Sequence, residues 1–115
     1  MSSSITPPKY DFLVILPDYP GVLEKRMSVR EEHLSGTKPN VDGGFLTFGG
    51  AMLDEVPKEG TSLKINGSAM LVSATSKEDA LEQISKDIYY REGIWDKEKI
   101  KIVPFKTAVR QPLKL

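Results

Sequence analysis

Two short apolar runs constrain this 115-residue chain more than any other feature. Tyr10-Asp-Phe-Leu-Val-Ile-Leu16 is almost unbroken and is stopped by Pro17; Ser68-Ala-Met-Leu-Val-Ser-Ala74 repeats the pattern. Both are too short for a core helix, and the first is rich in aromatic and β-branched residues. They read as strands apolar on both faces. A sheet built on them must be covered on both sides. The length fits one domain with one core, and apolar residues make up 39% of the chain, enough to pack it.

Punctuation places the remaining elements. Residues 1–9, with three serines and Pro7-Pro8, read as a flexible leader. Pro17 to Gly21 is turn chemistry. Val22 to Leu34 is a first helix, predicted to end near Ser35-Gly36 in a left-handed glycine cap, with a loop from Thr37 to Gly44. Phe45 to Phe48 is a strand, continued by Ala51 to Leu53 past a bulge at Gly49-Gly50. Ser62 to Ile65 suits a short edge strand and Asn66-Gly67 a turn before the second apolar run. Ser76-Lys-Glu-Asp79 resembles a capping box opening a second helix. Ala80, Leu81, Ile84 and Ile88 form its buried stripe, with Asp87 in its last turns. Ile94-Trp-Asp96 is a packed connection, Ile100 to Phe105 a last strand, and residues 107–115 a tail.

This order, strand-helix-strand-strand-helix-strand over residues 10–106, predicts an α+β class, ferredoxin-like βαββαβ fold with both helices on one face of an antiparallel sheet. The other face then needs a cover. A homodimer packed sheet to sheet, a dimeric α/β barrel, supplies it; the alternative cover is the tail or the long loop.

Composition removes several partners. Sixteen basic and sixteen acidic residues cancel, so neither nucleic acid nor an anionic membrane is expected. No apolar run approaches the ~20 residues of a membrane helix, and the N-terminus lacks a signal-peptide pattern. There is no cysteine and one histidine, so neither disulfides nor a metal site is expected. A cytoplasmic protein fits.

The lone histidine is in Arg30-Glu-Glu-His33. At about 100° per residue, Glu24, Lys25, Ser28, Glu31 and Glu32 form a solvated face. Val22, Leu23, Met27, Val29 and Leu34 form the opposite one, and Arg26, Arg30 and His33 fall within that arc. His33 suits general acid–base work, since imidazole titrates near neutral pH; the alternative is a packed histidine or a helix C-terminal cation. The arginines either pair with acids at the core rim or bind an anionic group. Asp87 is the natural partner of His33. As an acid in a last helical turn it opposes the macrodipole, unless it is a plain solvated residue. Gly49-Gly50 either aims amides at a ligand or curves the strand. Asp18, Tyr19, Tyr89, Tyr90 and Trp95 are secondary; Tyr89-Tyr90-Arg91 suits a pocket wall, with Tyr90 as the substrate-binding candidate, or else core packing, and packing is the preferred reading of Trp95.

Taken in order, the strand Tyr10 to Leu16, Arg30-Glu-Glu-His33-Leu34, Phe48-Gly49-Gly50, Ser76-Lys-Glu-Asp-Ala80, Asp87 and the strand Ile100 to Phe105 resemble the YciI-like (YCII-related) domain family. Asp87-Ile-Tyr and Gly93-Ile-Trp-Asp96 look like its fungal branch. The resemblance implies a ferredoxin-like dimer with a cleft built on a histidine and an aspartate, here His33 and Asp87. In much of the family a proline follows the acid; here Ile88 does. A few members act in aromatic-compound degradation, including dehydrochlorination, and related barrels include muconolactone isomerases.

Two functions follow as expectations. One is a cofactor-independent isomerase or lyase acting on a cyclic or aromatic molecule. His33 moves the proton, Asp87 orients it, and Arg30, Gly49, Gly50 and Tyr90 bind substrate. The other is a non-catalytic small-molecule-binding or accessory protein on the same dimeric scaffold.

Overall fold

A computed structural model describes residues 6–112. The outer parts of the expected leader and tail, residues 1–5 and 113–115, lie outside the described residues. Four strands, β1 (Tyr10–Pro17), β2 (Leu46–Leu53), β3 (Ile65–Ala74) and β4 (Lys101–Phe105), form one sheet in the order β2-β3-β1-β4. All neighbours are antiparallel. The two apolar runs are therefore the central pair, with Leu13 opposite Leu71. This is the ferredoxin-like order, with the crossing strands at the edges.

One sheet face carries the core. Phe12, Val14 and Leu16 of β1 and Met70, Val72 and Ala74 of β3 alternate onto it. Ala80, Ile84, Ile88, Tyr89, Ile94 and Trp95 pack over them. On the other face, a row crosses all four strands in register: Phe48, Leu71, Leu13 and Val103.

Each expected helix is divided in two. The first becomes α1 (Leu23–Ser28) and α2 (Arg30–Asp42), bent at Val29. The Ser28 hydroxyl donates to the Lys25 carbonyl at 2.6 Å, and the Val29 amide reaches that same oxygen only at 3.3 Å. Such back-bonding loosens the ladder and bends a helix. The helix does not end at Gly36. It runs through Gly36 and Pro39 to Asp42, and the left-handed glycine is Gly44, at φ 82. The Thr37 hydroxyl takes up the Leu34 carbonyl on the way. The second helix becomes α3 (Lys77–Ile84) and α4 (Ile88–Arg91). Ser76 caps α3 by accepting from the Asp79 amide, while the Asp79 carboxylate reaches back to the Thr75 amide. Leu81, placed on the buried stripe by its spacing, is exposed.

Three strand-level expectations are corrected. Ser62 to Lys64 form no strand; only Ile65 joins β3. Asn66-Gly67 is not a turn but part of β3. A Cβ on Gly67 would stand 2.6 Å from the Leu16 carbonyl oxygen, so close packing, not a turn, demands the glycine. Gly49-Gly50 lies in regular pairing within β2, opposite Met70 and Ala69; the register shifts fall between Leu46 and Phe48 and between Met52 and Leu53.

Candidate functional site

Helix α2 lies beside the edge strand β2, and a cleft of about 340 Å³ opens between them. Arg30, His33, Leu34, Thr37 and Val41 line it. Their spacing is one helical stripe. It explains why Leu34 and Val41 are exposed: the stripe faces a cleft, not the core. Gly49 and Gly50 belong to the opposite wall, and a Cβ on Gly50 would meet nothing within 4 Å. No atoms crowd that position, and the wall stays open to a ligand.

His33 Nδ1 lies 2.8 Å from Asp87 Oδ1, across 54 residues of sequence. Both side chains are mostly buried, at 15% and 14% exposure. Asp87 is held by its own backbone setting. It is the N-cap of α4, and Oδ1 also accepts from the Tyr89 amide at 2.8 Å. The last-turn placement is therefore corrected. α3 stops at Ile84, so Asp87 sits at a helix start, where a carboxylate is favoured. Accepting from Nδ1–H, the carboxylate leaves Nε2 of a neutral imidazole with the lone pair.

Aromatic rings fix the imidazole. His33 stacks on Tyr89, with centroids 3.9 Å apart and planes 7° from parallel, and Trp95 stands edge-on to both. Beneath them is a buried polar network. Arg26 Nη1 donates to both Asp18 oxygens at 2.7 and 2.8 Å, and Nη2 donates to Ser68 Oγ at 2.7 Å. Ser68 Oγ also accepts from Trp95 Nε1–H at 3.1 Å. The Arg26 guanidinium lies over the Tyr89 ring, 4.5 Å from its centroid. An antiparallel bridge between Asp18 and Trp95 joins the two ends of this network through the backbone. Burial pushes the Asp18 carboxyl above its ordinary value, with Arg26 pulling the other way.

Of the residues named from sequence, His33, Arg30, Gly49 and Gly50 meet at the cleft. Asp87 reaches it only through His33. It lines a smaller cavity of about 160 Å³ on the far side of the imidazole, which also contains Lys86 and Arg91. Tyr90 is not brought to the cleft; the Lys97 ammonium lies 4.6 Å over its ring. Its neighbour Tyr89 takes the place expected of it. The two tyrosines are adjacent in sequence, and Asp87, as the cap of α4, sets which of them turns toward the cleft. Ser68 gave no signal at all. Of the two readings of the arginines, Arg26 takes the ion pair. Among the described residues, no three His, Asp or Glu side chains gather to ligate a metal, and no helix is long and apolar enough to cross a membrane.

Fold and site together define a small α+β protein with an imidazole–carboxylate pair set in the wall of a cleft between a helix and a sheet edge. The chain belongs to the family of YCII-related domains, whose model matches residues 11–106. Fusaric acid biosynthesis protein 2 from Gibberella fujikuroi is 40% identical over 97 residues, covering 84% of this chain and 93% of that protein. Part of Aspartate kinase FUB3 from Fusarium oxysporum is 41% identical over 98 residues. That match covers 85% of this chain but 18% of that relative, so the chain spans under a fifth of its length. These fungal relatives agree with the branch that the sequence motifs suggested. Among solved structures, the fold is similar to that of 5-chloro-2-hydroxyhydroquinone dehydrochlorinase (TftG) from Burkholderia phenoliruptrix in complex with 2,5-dihydroxybenzoquinone. The TM-score is 0.70 at 22% identity, over 85% of this chain and 95% of that one. At that identity the likeness is one of fold.

Proposed function

We propose that the chain is a small-molecule enzyme in which His33, oriented by Asp87, moves a proton on a small cyclic substrate held in the cleft. The observation that carries this reading is the 2.8 Å contact between His33 Nδ1 and Asp87 Oδ1 at the cleft wall. A neutral imidazole with its proton held at Nδ1 offers Nε2 as the base. Removal of a proton beside a carbonyl or hydroxyl places negative charge on oxygen. Arg30 is set to receive it, with whichever of the Gly49 and Gly50 amides points outward, since β2 is an edge strand whose alternate amides are not used by the sheet. No cofactor is needed for an isomerisation or elimination of this kind. The fold-mate's dehydrochlorinase activity and the biosynthetic naming of a relative support a small-molecule role.

The same reading includes a homodimer. The row Phe48, Leu71, Leu13 and Val103 lies on the sheet face that carries no helix; Leu71 is already buried within the chain, Phe48 and Val103 are exposed, and a second copy of that face would cover them. A cytoplasmic location goes with it.

The test is a thermal-shift screen of small aromatic acids, lactones and 2,5-dihydroxybenzoquinone, followed by NMR of each bound compound in deuterated solvent. Wild-type protein should exchange a substrate proton for deuterium or convert the compound. His33→Ala should lower that rate by about 10²- to 10⁴-fold while keeping the fold. Unchanged turnover in His33→Ala would end the proposal. Binding without any exchange in the wild type would assign the accessory role instead.

A further inference from the structure

The cleft has a charge imbalance in its wall. Two arginines line it, Arg26 and Arg30, and no carboxylate does. The charge of Arg26 is met by Asp18 at 2.7 Å. Arg30, on the exposed first turn of α2, makes no ion pair or side-chain hydrogen bond among the described residues. The cleft is thus left with one unspent positive charge.

Tyr89 adds a second observation. Its side chain is 2% exposed, and its hydroxyl makes no hydrogen bond to any described residue. Yet among those residues no fully buried side-chain nitrogen or oxygen lacks a partner. The hydroxyl therefore keeps a little open surface. Tyr89 lines the cleft and not the smaller cavity behind His33. Burial of the ring pushes its phenol above the ordinary value of 10.0, against the pull of Arg26 and Arg30. At neutral pH the group is a donor in want of an acceptor.

We propose that the Tyr89 hydroxyl and the Arg30 guanidinium form an oxyanion subsite of the cleft, which takes a carboxylate, enolate or phenolate oxygen of a small flat ligand. The hydroxyl donates a hydrogen bond and Arg30 supplies the charge, with Met27, Leu34 and Leu46 as apolar surface for the rest of the ligand. The subsite deepens the reading of the cleft as a small-molecule site and names its ligand as an anion. It does not depend on His33 transferring a proton.

Benzoate and its uncharged analogue toluene are the probes, titrated into the full chain by calorimetry and by ¹³Cζ-tyrosine NMR. Wild-type protein should bind benzoate at millimolar concentration or below, with the Tyr89 resonance moving on binding. Tyr89→Phe should weaken benzoate about tenfold and leave toluene unaffected, the loss expected of a charge-assisted hydrogen bond. Arg30→Gln should weaken benzoate comparably and flatten its dependence on ionic strength. Equal benzoate affinity in wild type and Tyr89→Phe overturns the subsite, as does a wild type that ignores benzoate. A fall in the melting temperature of ligand-free Tyr89→Phe counts against it too, because it would reveal a protein partner for the hydroxyl. Failure of the proton-transfer reading is seen separately, as turnover surviving in His33→Ala.

Discussion

Asp87 performs two tasks with one oxygen. It caps α4 through the Tyr89 amide and holds His33 at Nδ1. The tasks come apart by substitution. Asparagine caps about as well as aspartate, whereas alanine does not, at a cost of roughly 1 kcal/mol. Asp87→Asn should therefore keep its urea midpoint within about 0.5 kcal/mol of wild type, yet lose turnover by roughly 10²-fold or more. Asp87→Ala should lose both. A fully active Asp87→Asn variant would reduce the carboxylate to a structural cap. Asp87 stands out in the sequence as an acid set in what reads as a last helical turn, and through the family resemblance, although that turn is in fact the start of α4. Its local role was not legible there. Whether a residue ends one helix or begins the next turns on where Ser85 and Lys86 leave α3, and neither is a strong breaker. The same uncertainty decided between Tyr89 and Tyr90, because a shift of one residue exchanges which ring is buried.

Elements repeat the lesson at larger size. The capping box at Ser76 was readable because its partners are three residues apart and need no tertiary context. α2 was not readable beyond Gly36. A glycine costs an exposed helix only about 1 kcal/mol, and the stripe that keeps α2 in place borders a cleft that no local pattern announces. Gly67 misled for the opposite reason: its turn-like dipeptide answers a backbone approach from β1. The α3 cap yields a pH prediction. The Thr75 amide holds the Asp79 carboxyl below its ordinary 3.8, opposed by a smaller desolvation effect and helped by Gln83 and the Thr75 hydroxyl. A lowered folded value means the ionised carboxylate favours the folded state. Its contribution is present above 3.8 and is lost as pH falls through the lower folded value. Asp79→Asn should lower stability at neutral pH, and the gap to wild type in urea melts should shrink as pH falls below 3.8 and through the lower folded value. A constant gap would mean the charge is irrelevant to the cap.

At the scale of the whole molecule, the two apolar runs announced both the central strand pair and the need for a second cover. The fold followed from them because strands apolar on both faces admit few architectures. What covers the helix-free face is the proposal of a second copy, and Val103 tests it. This side chain is 45% exposed and ends the apolar row on the edge strand β4. Val103→Lys should leave the circular dichroism spectrum unchanged. In sedimentation velocity at micromolar concentration it should move the protein from a dimer to a monomer, because an ammonium group buried between two sheet faces loses its hydration. A wild type that sediments as a monomer would remove the dimer.

Trp95 is the only tryptophan and His33 the only histidine, and their rings stand 6.1 Å apart. Indole emission is quenched by a nearby imidazolium and far less by a neutral imidazole. The protein thus carries a built-in optical gauge of the charge on His33, free of labels and of interference from a second fluorophore of that kind. An emission titration reports the charge on one atom group at one place. Repeated with a ligand bound, it shows directly whether occupying the cleft draws a proton onto the ring or drives one off.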